Sequence, residues 1–196
     1  SIAKRMKRAL DFIVALICIV VFSPLMLLCA AAIKREDGCP VIYSQERIGL
    51  HGKPFMIYKF RTMSKHAEGN GIPKLMEIPN DPRLTRVGNI LRRHHLDELP
   101  QLWNVLKGDM AFVGPRPERK YYIDKIMEHD TRYRFLYQIR PGVTSYATLY
   151  NGYTDTMDKM LRRLDLDLYY LEHRSWWFDA KILFMTFTNI VFGKVF

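Results

Sequence analysis

Residues Phe12–Ile33 read FIVALICIVVFSPLMLLCAAAI, a run of 22 residues without a charged side chain. At 1.5 Å per residue, a straight helix of this length would extend about 33 Å, enough to cross a hydrocarbon core of about 30 Å. Ser23-Pro24 lies at the middle of the run, where proline removes a helical hydrogen bond and favours a kink. The run therefore predicts a membrane segment made of two shorter helical pieces joined at a break.

Basic residues flank the run on both sides, as KRMKR at 4–8 and KR at 34–35. Positive flanks mark the cytoplasmic side of a membrane, so two of them favour a re-entrant segment that enters and leaves by one face. A single span and a cleaved signal peptide are the alternatives, although apolar regions of signal peptides usually measure only about 7–15 residues. We expect residues 1–35 to form a re-entrant helix–break–helix and residues 36–196 to form a cytoplasmic domain.

The 196-residue chain carries 30 Lys and Arg against 20 Asp and Glu, which gives a net charge of +10. Roughly half of this excess flanks the apolar run, which argues against nucleic acid as a partner and favours a membrane surface or a phosphorylated substrate. The three cysteines, Cys18, Cys29 and Cys39, form no CxxC pair. Neither a disulfide framework nor a zinc ribbon is predicted, and a reducing compartment fits best.

The rest of the chain predicts a mainly helical domain with one small antiparallel β-hairpin, an α+β fold. Strands are expected at 41–45 and 55–60, a loop at 64–82, and short helices at 85–93 and 98–107. Asp97 is the expected N-cap of the second of these helices.

The C-terminal part of the chain is expected to be helical as well. Residues 118–139 have a helical composition, and leucines at 161, 164, 168 and 171 form a helical stripe. Trp176, Trp177 and Phe178 fit either core packing or an anchor at a membrane interface. The predicted domain therefore ends in helices that could lie at the interface.

Asp97 and Glu98 stand in the polar stretch RRHHLDELPQ at 92–101. A carboxylate can attack phosphorus to form an acyl phosphate, which divides a difficult transfer into two easier steps. Two adjacent carboxylates also suit Mg²⁺, which commonly binds through one or two carboxylates and substrate phosphates. Helix capping, with Asp97 paired to a neighbouring arginine, is the alternative. A zinc site is not expected, because His94 and His95 would point in different directions and no further ligand set is suitably spaced.

Arg116 lies between two prolines in the sequence GPRP at 114–117. A stiffened backbone reduces the entropy lost when a guanidinium binds phosphate, and the planar fork of arginine suits oxyanions. A solvated loop arginine is the alternative. The same argument applies more weakly to Lys59 in YKFRTM and to Arg140 in RPG.

Five motifs follow one another along the chain: SPL at 23–25, YKFRTM at 58–63, LDELPQLWNVLKGDM at 96–110, VGPRP at 113–117 and RPGVT at 140–144. Together they resemble the monotopic phosphoglycosyl transferases, the bacterial sugar transferase family, over nearly the whole chain. The resemblance implies transfer of a sugar-1-phosphate from a UDP-sugar to a polyprenol (undecaprenyl) phosphate, with release of UMP. Such a reaction would be the first membrane step of glycoconjugate or polysaccharide assembly, at the cytoplasmic face of the bacterial inner membrane.

The resemblance also implies Mg²⁺ as cofactor and a covalent aspartyl-phosphosugar intermediate. It makes Asp97 the nucleophile and Glu98 its partner, as a Mg²⁺ ligand or an acid/base group. The other correspondences are Arg92, Arg116, Lys59 and Arg140 as residues that bind substrate phosphate, and Ser23-Pro24 as the break in the membrane segment.

The chain departs from the family pattern after RPG. Where the family commonly reads ITGLAQVNG, residues 143–152 read VTSYATLYNG, with Ser145 and Thr148 in place of glycine and glutamine and one added residue. The sugar therefore stays open, as does whether the chain is a catalytic domain alone or part of a longer protein. The alternative function is a non-enzymatic basic module that binds anionic lipid or nucleic acid on a membrane. Such a module has no need of Asp97 and Glu98.

Overall fold

The computed structural model describes residues 2–64, 81–152 and 154–192. These residues are mainly helical, as predicted. The α-helices are α1 (Ile2–Asp37), α2 (Arg86–Arg93), α3 (Gln101–Lys107), α4 (Lys120–Met127), α5 (Tyr146–Asn151), α6 (Met157–His173) and α7 (Trp176–Val191). The strands are β1 (Ile42–Ile48), β2 (Pro54–Phe60), β3 (Ala111–Val113) and β4 (Gly142–Thr144). Short 3₁₀ helices cover Leu50–Gly52, Leu96–Glu98 and Thr131–Gln138.

The predicted hairpin is confirmed: β1 and β2 form a small antiparallel two-stranded sheet. A second pair was not predicted. In it, β3 and β4 run parallel, with Ala111 opposite Gly142 and Val113 opposite Thr144. The helices expected at 85–93, 118–139 and around the leucine stripe also form, the second as α4 and the 3₁₀ helix that follows it. The loop expected at 64–82 falls almost entirely outside the described residues.

The apolar run differs from its prediction in one respect, because α1 continues through Ser23-Pro24 without a break in helical structure. Pro24 has no N–H, so the Val20 carbonyl loses its helical partner. The Ser23 hydroxyl donates a hydrogen bond to that same carbonyl at 2.8 Å. The Ser23 hydroxyl thus replaces the backbone N–H that Pro24 lacks, and the helix continues past the proline.

The chain divides into two compact units. Unit 1 contains the described residues of Ser1–Gln45 and Ile57–Leu106, and its core joins the C-terminal half of α1 to β2 and α2. The central side chains of that core are Cys29, Ile33, Phe60 and Leu91.

Two contacts fasten the C-terminal end of α1 to the rest of unit 1. Arg61 on the loop after β2 donates hydrogen bonds to the Pro40 and Gly38 carbonyls, at 2.7 and 2.9 Å, and pairs with Asp37. The Glu36 carboxylate accepts the backbone N–H groups of Arg86 and Val87, at 2.8 and 2.7 Å, and so caps α2. These contacts thereby hold the C-terminal end of α1 against α2 and the loop after β2.

Unit 2 contains the described residues of Glu46–Met56 and Lys107–Phe196. Part of its core consists of Val113, Tyr170 and Ile182, from β3, α6 and α7. The leucine stripe of α6 is confirmed in part: Leu164 and Leu168 are buried, while residues 161 and 171 are half-buried. The buried face of α6 also carries two charged residues, Arg163 and Asp167, which the stripe did not predict.

Candidate active site

Asp97 does not cap a helix over 98–107, as the sequence had suggested. It lies inside the 3₁₀ helix Leu96–Glu98, and α3 begins only at Gln101. Pro100 has no backbone N–H, so the Leu96 carbonyl cannot accept an α-helical hydrogen bond from residue 100. The turn is held instead by 3₁₀-type hydrogen bonds between residues three apart, such as the one from the Leu99 N–H to the Leu96 carbonyl at 3.3 Å.

The environment of Asp97 opposes ionisation of its side chain. Its side chain is buried, with only 4% of the residue exposed. Burial and then the neighbouring charge of Glu98 raise the pKa of Asp97 to about 6, against the opposing effect of Lys59 and Arg92. At neutral pH the carboxylate is still mostly ionised, but it is poorly solvated, which is a suitable state for a nucleophile.

Unit 1 brings together four of the residues predicted from the sequence, since Lys59, Arg92 and Glu98 all act electrostatically on Asp97. Lys59 is held on β2, where the preceding Tyr58 N–H donates to the buried Asn104 side chain at 3.1 Å. Asn104 belongs to α3, so the helix after the carboxylate pair also fixes the strand that carries the lysine.

Arg92 is positioned by α2, which packs closely on the chain after β2. Gly88 makes this approach possible, because a Cβ there would lie 1.9 Å from the Thr62 carbonyl oxygen. Thr85 caps the helix with its side chain, and its N–H donates to the same carbonyl at 3.0 Å. The last turn of α2 then carries Arg92 toward the 3₁₀ helix of Asp97.

His95 is a site residue that the sequence reasoning did not select. It adopts a left-handed conformation with φ of 58°, which is uncommon for a residue other than glycine. Burial lowers the pKa of His95, and the charge of Glu98 opposes this effect. The ring is therefore a mostly neutral neighbour of the carboxylates, and the turn conformation gives no signal in the sequence.

The carboxylate pair was also predicted to hold Mg²⁺. Within residues 2–64, 81–152 and 154–192, no group of three or more His, Cys, Asp and Glu side chains is arranged to hold a metal ion. The pair of Asp97 and Glu98 is nevertheless a donor set that suits Mg²⁺, which takes only one or two protein carboxylates and completes its shell with water and phosphate. The mutual repulsion of the two carboxylates, seen in the raised pKa of Asp97, is what a bound cation would relieve.

The sequence profile that describes bacterial sugar transferases matches residues 2–193. The chain belongs to the bacterial sugar transferase family. The match includes α1 as well as both compact units, so the family assignment does not rest on the carboxylate pair alone.

Three relatives illustrate the similarity. The chain is 40% identical over 187 residues to a UDP-N-acetylgalactosamine-undecaprenyl-phosphate N-acetylgalactosaminephosphotransferase of Aeromonas hydrophila, covering 95% of this chain and 44% of the relative. It is 39% identical to a UDP-glucose:undecaprenyl-phosphate glucose-1-phosphate transferase of Escherichia coli, covering 95% and 40%. A transferase of the same name from Caulobacter vibrioides is 41% identical, covering 94% and 69%. The chain thus spans less than half the length of the first two relatives.

The two remaining cations that were predicted to bind phosphate lie in unit 2. Arg116 is half-buried in the segment between β3 and α4, and Arg140 precedes β4. The Nε of Arg140 donates to the Gly108 carbonyl at 2.8 Å, so part of its guanidinium is used in the fold. The phosphate-binding roles of both arginines stay predictions.

The GPRP and RPG motifs are neighbours because β3 and β4 pair. The Gly142 N–H donates to the Pro115 carbonyl at 2.8 Å, and the Gly114 N–H to the Thr144 carbonyl at 3.2 Å. A Cβ on Gly142 would lie 2.0 Å from the Gly114 nitrogen, so this approach requires glycine. The parallel pair thereby places Arg116 beside the start of β4.

The departure from the family pattern after RPG has a structural explanation. Ser145 is buried and caps α5, accepting a hydrogen bond from the Thr148 N–H at 3.0 Å. The two hydroxyls also bond to each other at 2.6 Å. Both residues that replace the family's glycine and glutamine therefore support the start of a helix.

Proposed function

We propose that this sugar transferase transfers a sugar-1-phosphate from a UDP-sugar to undecaprenyl phosphate, through a covalent intermediate on Asp97. The observation that carries the proposal is a buried carboxylate with a second carboxylate and two cations around it, in a chain whose relatives are named for this transfer. The cations, Lys59 and Arg92, suit a substrate that brings phosphate to the carboxylate.

The proposed reaction has two steps. A carboxylate oxygen of Asp97 attacks the phosphorus that carries the sugar, and the bond from that phosphorus to the bridging oxygen breaks, so UMP leaves with the oxygen. In the second step a phosphate oxygen of the polyprenol phosphate attacks the same phosphorus. The bond to Asp97 breaks, the carboxylate is restored, and the product is a polyprenol diphosphate sugar.

The residues around Asp97 have separate parts in this proposal. Lys59 and Arg92 stabilise the negative charge that develops on the phosphoryl oxygens, and Arg116 and Arg140 bind substrate phosphate. Asp97 and Glu98 would hold Mg²⁺, which supplies charge neutralisation at the phosphates when it is bound. Burial of Asp97 keeps water from its carboxylate and protects the intermediate from hydrolysis.

The function is tested by UMP release from a panel of UDP-sugars in the presence and absence of undecaprenyl phosphate. The panel includes UDP-glucose and UDP-N-acetylgalactosamine, the donors for which the relatives are named. We expect turnover with at least one donor, dependent on the lipid phosphate and abolished by a chelator. No release with any donor would contradict the proposal and favour a binding module.

We also propose that α1 is re-entrant and that the enzyme acts at the cytoplasmic face of the inner membrane. Helix α1 is long and apolar enough to enter a bilayer, and side chains such as Val20 and Leu27 are largely exposed, at 66% and 72%. Both flanks of its apolar run contact unit 1. Arg8 donates to the Val105 and Leu106 carbonyls at the end of α3, each at 2.8 Å, and Glu36 caps α2.

These contacts support a shallow topology for a physical reason. A spanning helix would place Arg8 and Glu36 on opposite sides of the membrane, and one compact unit cannot bind both from a single side. Pro24 supplies the site where α1 can bend toward such a path.

We predict that a single cysteine at residue 2, with Cys18, Cys29 and Cys39 replaced, is protected from an impermeant thiol reagent in intact cells. Exchange of Ser23-Pro24 for Ala-Leu removes the site where α1 can bend and should shift the population toward a spanning helix, with labelling of residue 2 and loss of activity. Labelling after lysis is the control for reactivity. Strong labelling of the parent in intact cells would exclude the re-entrant topology.

We further propose that α7 lies at the membrane interface. Its Phe178 packs on Tyr170, with ring centroids 5.6 Å apart, whereas Trp177 and Phe184 are 80% and 68% exposed. The exposed apolar side chains recur at helical spacing along one broad face: Trp176, Trp177, Leu183, Phe184, Phe187, Ile190 and Val191. A face of this kind is typical of interfacial helices with aromatic anchors.

For this helix we predict that a variant with Trp177 as its only tryptophan is quenched by phospholipids brominated in the acyl chain. Addition of vesicles should also protect Trp177 from quenching by acrylamide, because the ring enters the bilayer boundary. Unbrominated vesicles provide the matched control. Full acrylamide quenching without lipid quenching would place α7 in water.

A further inference from the structure

Unit 2 buries three charged side chains that the proposed reaction does not use. Glu118, Arg163 and Asp167 are only 6%, 3% and 2% exposed. Arg163 and Asp167 are four residues apart on α6 and so share one face of that helix. Charged side chains are almost never fully buried unless they are paired or have a role, so each member of this set requires an explanation.

Arg163 and Glu118 are explained as a satisfied pair. Arg163 Nη2 donates to Glu118 Oε2 at 2.7 Å, and its Nη1 donates to the Thr154 hydroxyl at 2.9 Å. Burial opposes ionisation of Glu118, but the charges of Arg163 and Arg47 outweigh it and hold the pKa of that carboxyl below its usual range. This pair fastens the end of the GPRPE segment, residues 114–118, to α6.

Asp167 is not explained by pairing. Its Oδ1 is buried and has no hydrogen-bond partner among the described residues. The carboxylate accepts the backbone N–H of Arg116, and the charges of Arg163 and Arg116 face it. These interactions only partly offset burial, which raises its pKa to about 7. A buried carboxylate with an unsatisfied oxygen destabilises a fold, so stability does not account for it.

We propose that Asp167 is a positioning residue for Arg116: its carboxylate holds the backbone at residue 116 so that the guanidinium is presented to substrate phosphate. This inference rests on the proposed function, in which Arg116 binds phosphate. The segment has an anchor on each side of Arg116, namely the Pro115 carbonyl bonded to the Gly142 N–H and Glu118 bonded to Arg163. Asp167 fixes the residue between them.

The charge of Asp167 matters for this role, because an ionised carboxylate is a stronger acceptor than a neutral one. The charged and titratable groups that face it are Arg163 on its own helix, Arg116 on the segment, and Tyr133 from the 3₁₀ helix Thr131–Gln138. We therefore expect the backbone at residue 116 to be held more firmly above about pH 7 than below it.

The test compares Asp167→Asn with Asp165→Asn. Asn keeps the size of the side chain and loses its charge, whereas Asp165 lies two residues away on the same helix with a side chain that is 62% exposed. At about pH 8 we expect Asp167→Asn to lower kcat/KM for the UDP-sugar by about tenfold to a hundredfold, through misplacement of Arg116. Asp165→Asn should leave it unchanged.

Two readouts separate positioning from a structural role. The melting temperature of Asp167→Asn should equal or exceed that of the wild type at pH 8, because a buried charge has been removed. The ratio of wild-type to variant kcat/KM should fall toward one as the pH drops below about 6, since the wild-type carboxyl is then protonated as well. If Asp167→Asn loses both kcat/KM and melting temperature relative to the wild type at pH 8, the role of Asp167 is structural and the proposal is overturned.

A double-mutant cycle tests the route through Arg116. On an Arg116→Lys background, Asp167→Asn should change kcat/KM by less than about twofold. If the losses in kcat/KM caused by Asp167→Asn and Arg116→Lys multiply in the double variant, the inference is overturned. It is also overturned if Asp167→Asn is as active as Asp165→Asn. In both cases the wild type still releases UMP, so the proposed function stands. A wild type without UMP release would overturn the proposed function and this inference together. If Asp167→Asn does not fold, Asp167→Ser replaces it in the cycle, and failure of both to fold makes Asp167 structural.

Discussion

Asp97→Asn should abolish turnover, with a loss of several orders of magnitude, while the protein stays folded. Asparagine keeps the shape of the side chain but lacks the anionic oxygen that attacks phosphorus. Incubation with the UDP-sugar donor in the absence of acceptor should add the mass of a phosphosugar to the wild type alone, measured by intact-protein mass spectrometry. Asp124→Asn, on the exposed surface of α4, is the matched control and should still form the adduct.

The same substitution should raise stability. The folded-state pKa of Asp97 is raised to about 6, above the ordinary value of 3.8, so ionisation costs free energy as the pH rises from about 4 to 6 and the full cost remains above 6. Asp97→Asn removes a cost on the order of 3 kcal/mol. Its melting temperature with a chelator present should exceed that of the wild type at pH 8 and converge with it near pH 4.

In the mass-spectrometry experiment, a phosphosugar adduct that persists in Asp97→Asn would show that Asp97 is not the nucleophile.

Arg163→Met should destabilise the protein by about 3–5 kcal/mol, because it leaves the Glu118 carboxylate buried without its partner. Methionine fills much of the same volume, so the loss reports the uncompensated charge more than a cavity. The free energy of unfolding is measured by urea titration in detergent. Addition of Glu118→Gln on the same background should recover most of the loss, since the buried charge is then gone.

The control for this prediction is Arg132→Met. Arg132 also pairs with carboxylates, those of Asp130 and Asp165, but its side chain is 53% exposed. Exposed pairs are screened by solvent and contribute little to stability, so this change should be small. Equal losses for the two variants would show that the buried pair carries no special stabilisation.

Local sequence patterns predicted the elements that depend on local chemistry. Alternating β-rich runs predicted β1 and β2, and capping residues and periodicity predicted α2 and α6. Helix α3 begins later than predicted, at Gln101, because the residues around Asp97 form a separate 3₁₀ turn. The break predicted at Ser23-Pro24 is not shown: α1 stays helical there, and the Ser23 hydroxyl satisfies the Val20 carbonyl that Pro24 leaves without a donor.

The sequence by itself determined that the chain has a long apolar segment, a mainly helical domain and the motifs of its family, because each depends on neighbouring residues. Only the tertiary structure decided the burial that raises the pKa of Asp97, the bond of Arg8 to the end of α3, and the place of Asp167 beneath Arg116. These interactions join residues far apart in the chain; Arg8 and Val105, for example, are separated by 97 positions. No periodic pattern in the sequence predicts such contacts, since they form only when packing offsets the entropy lost in closing the long loops between the residues.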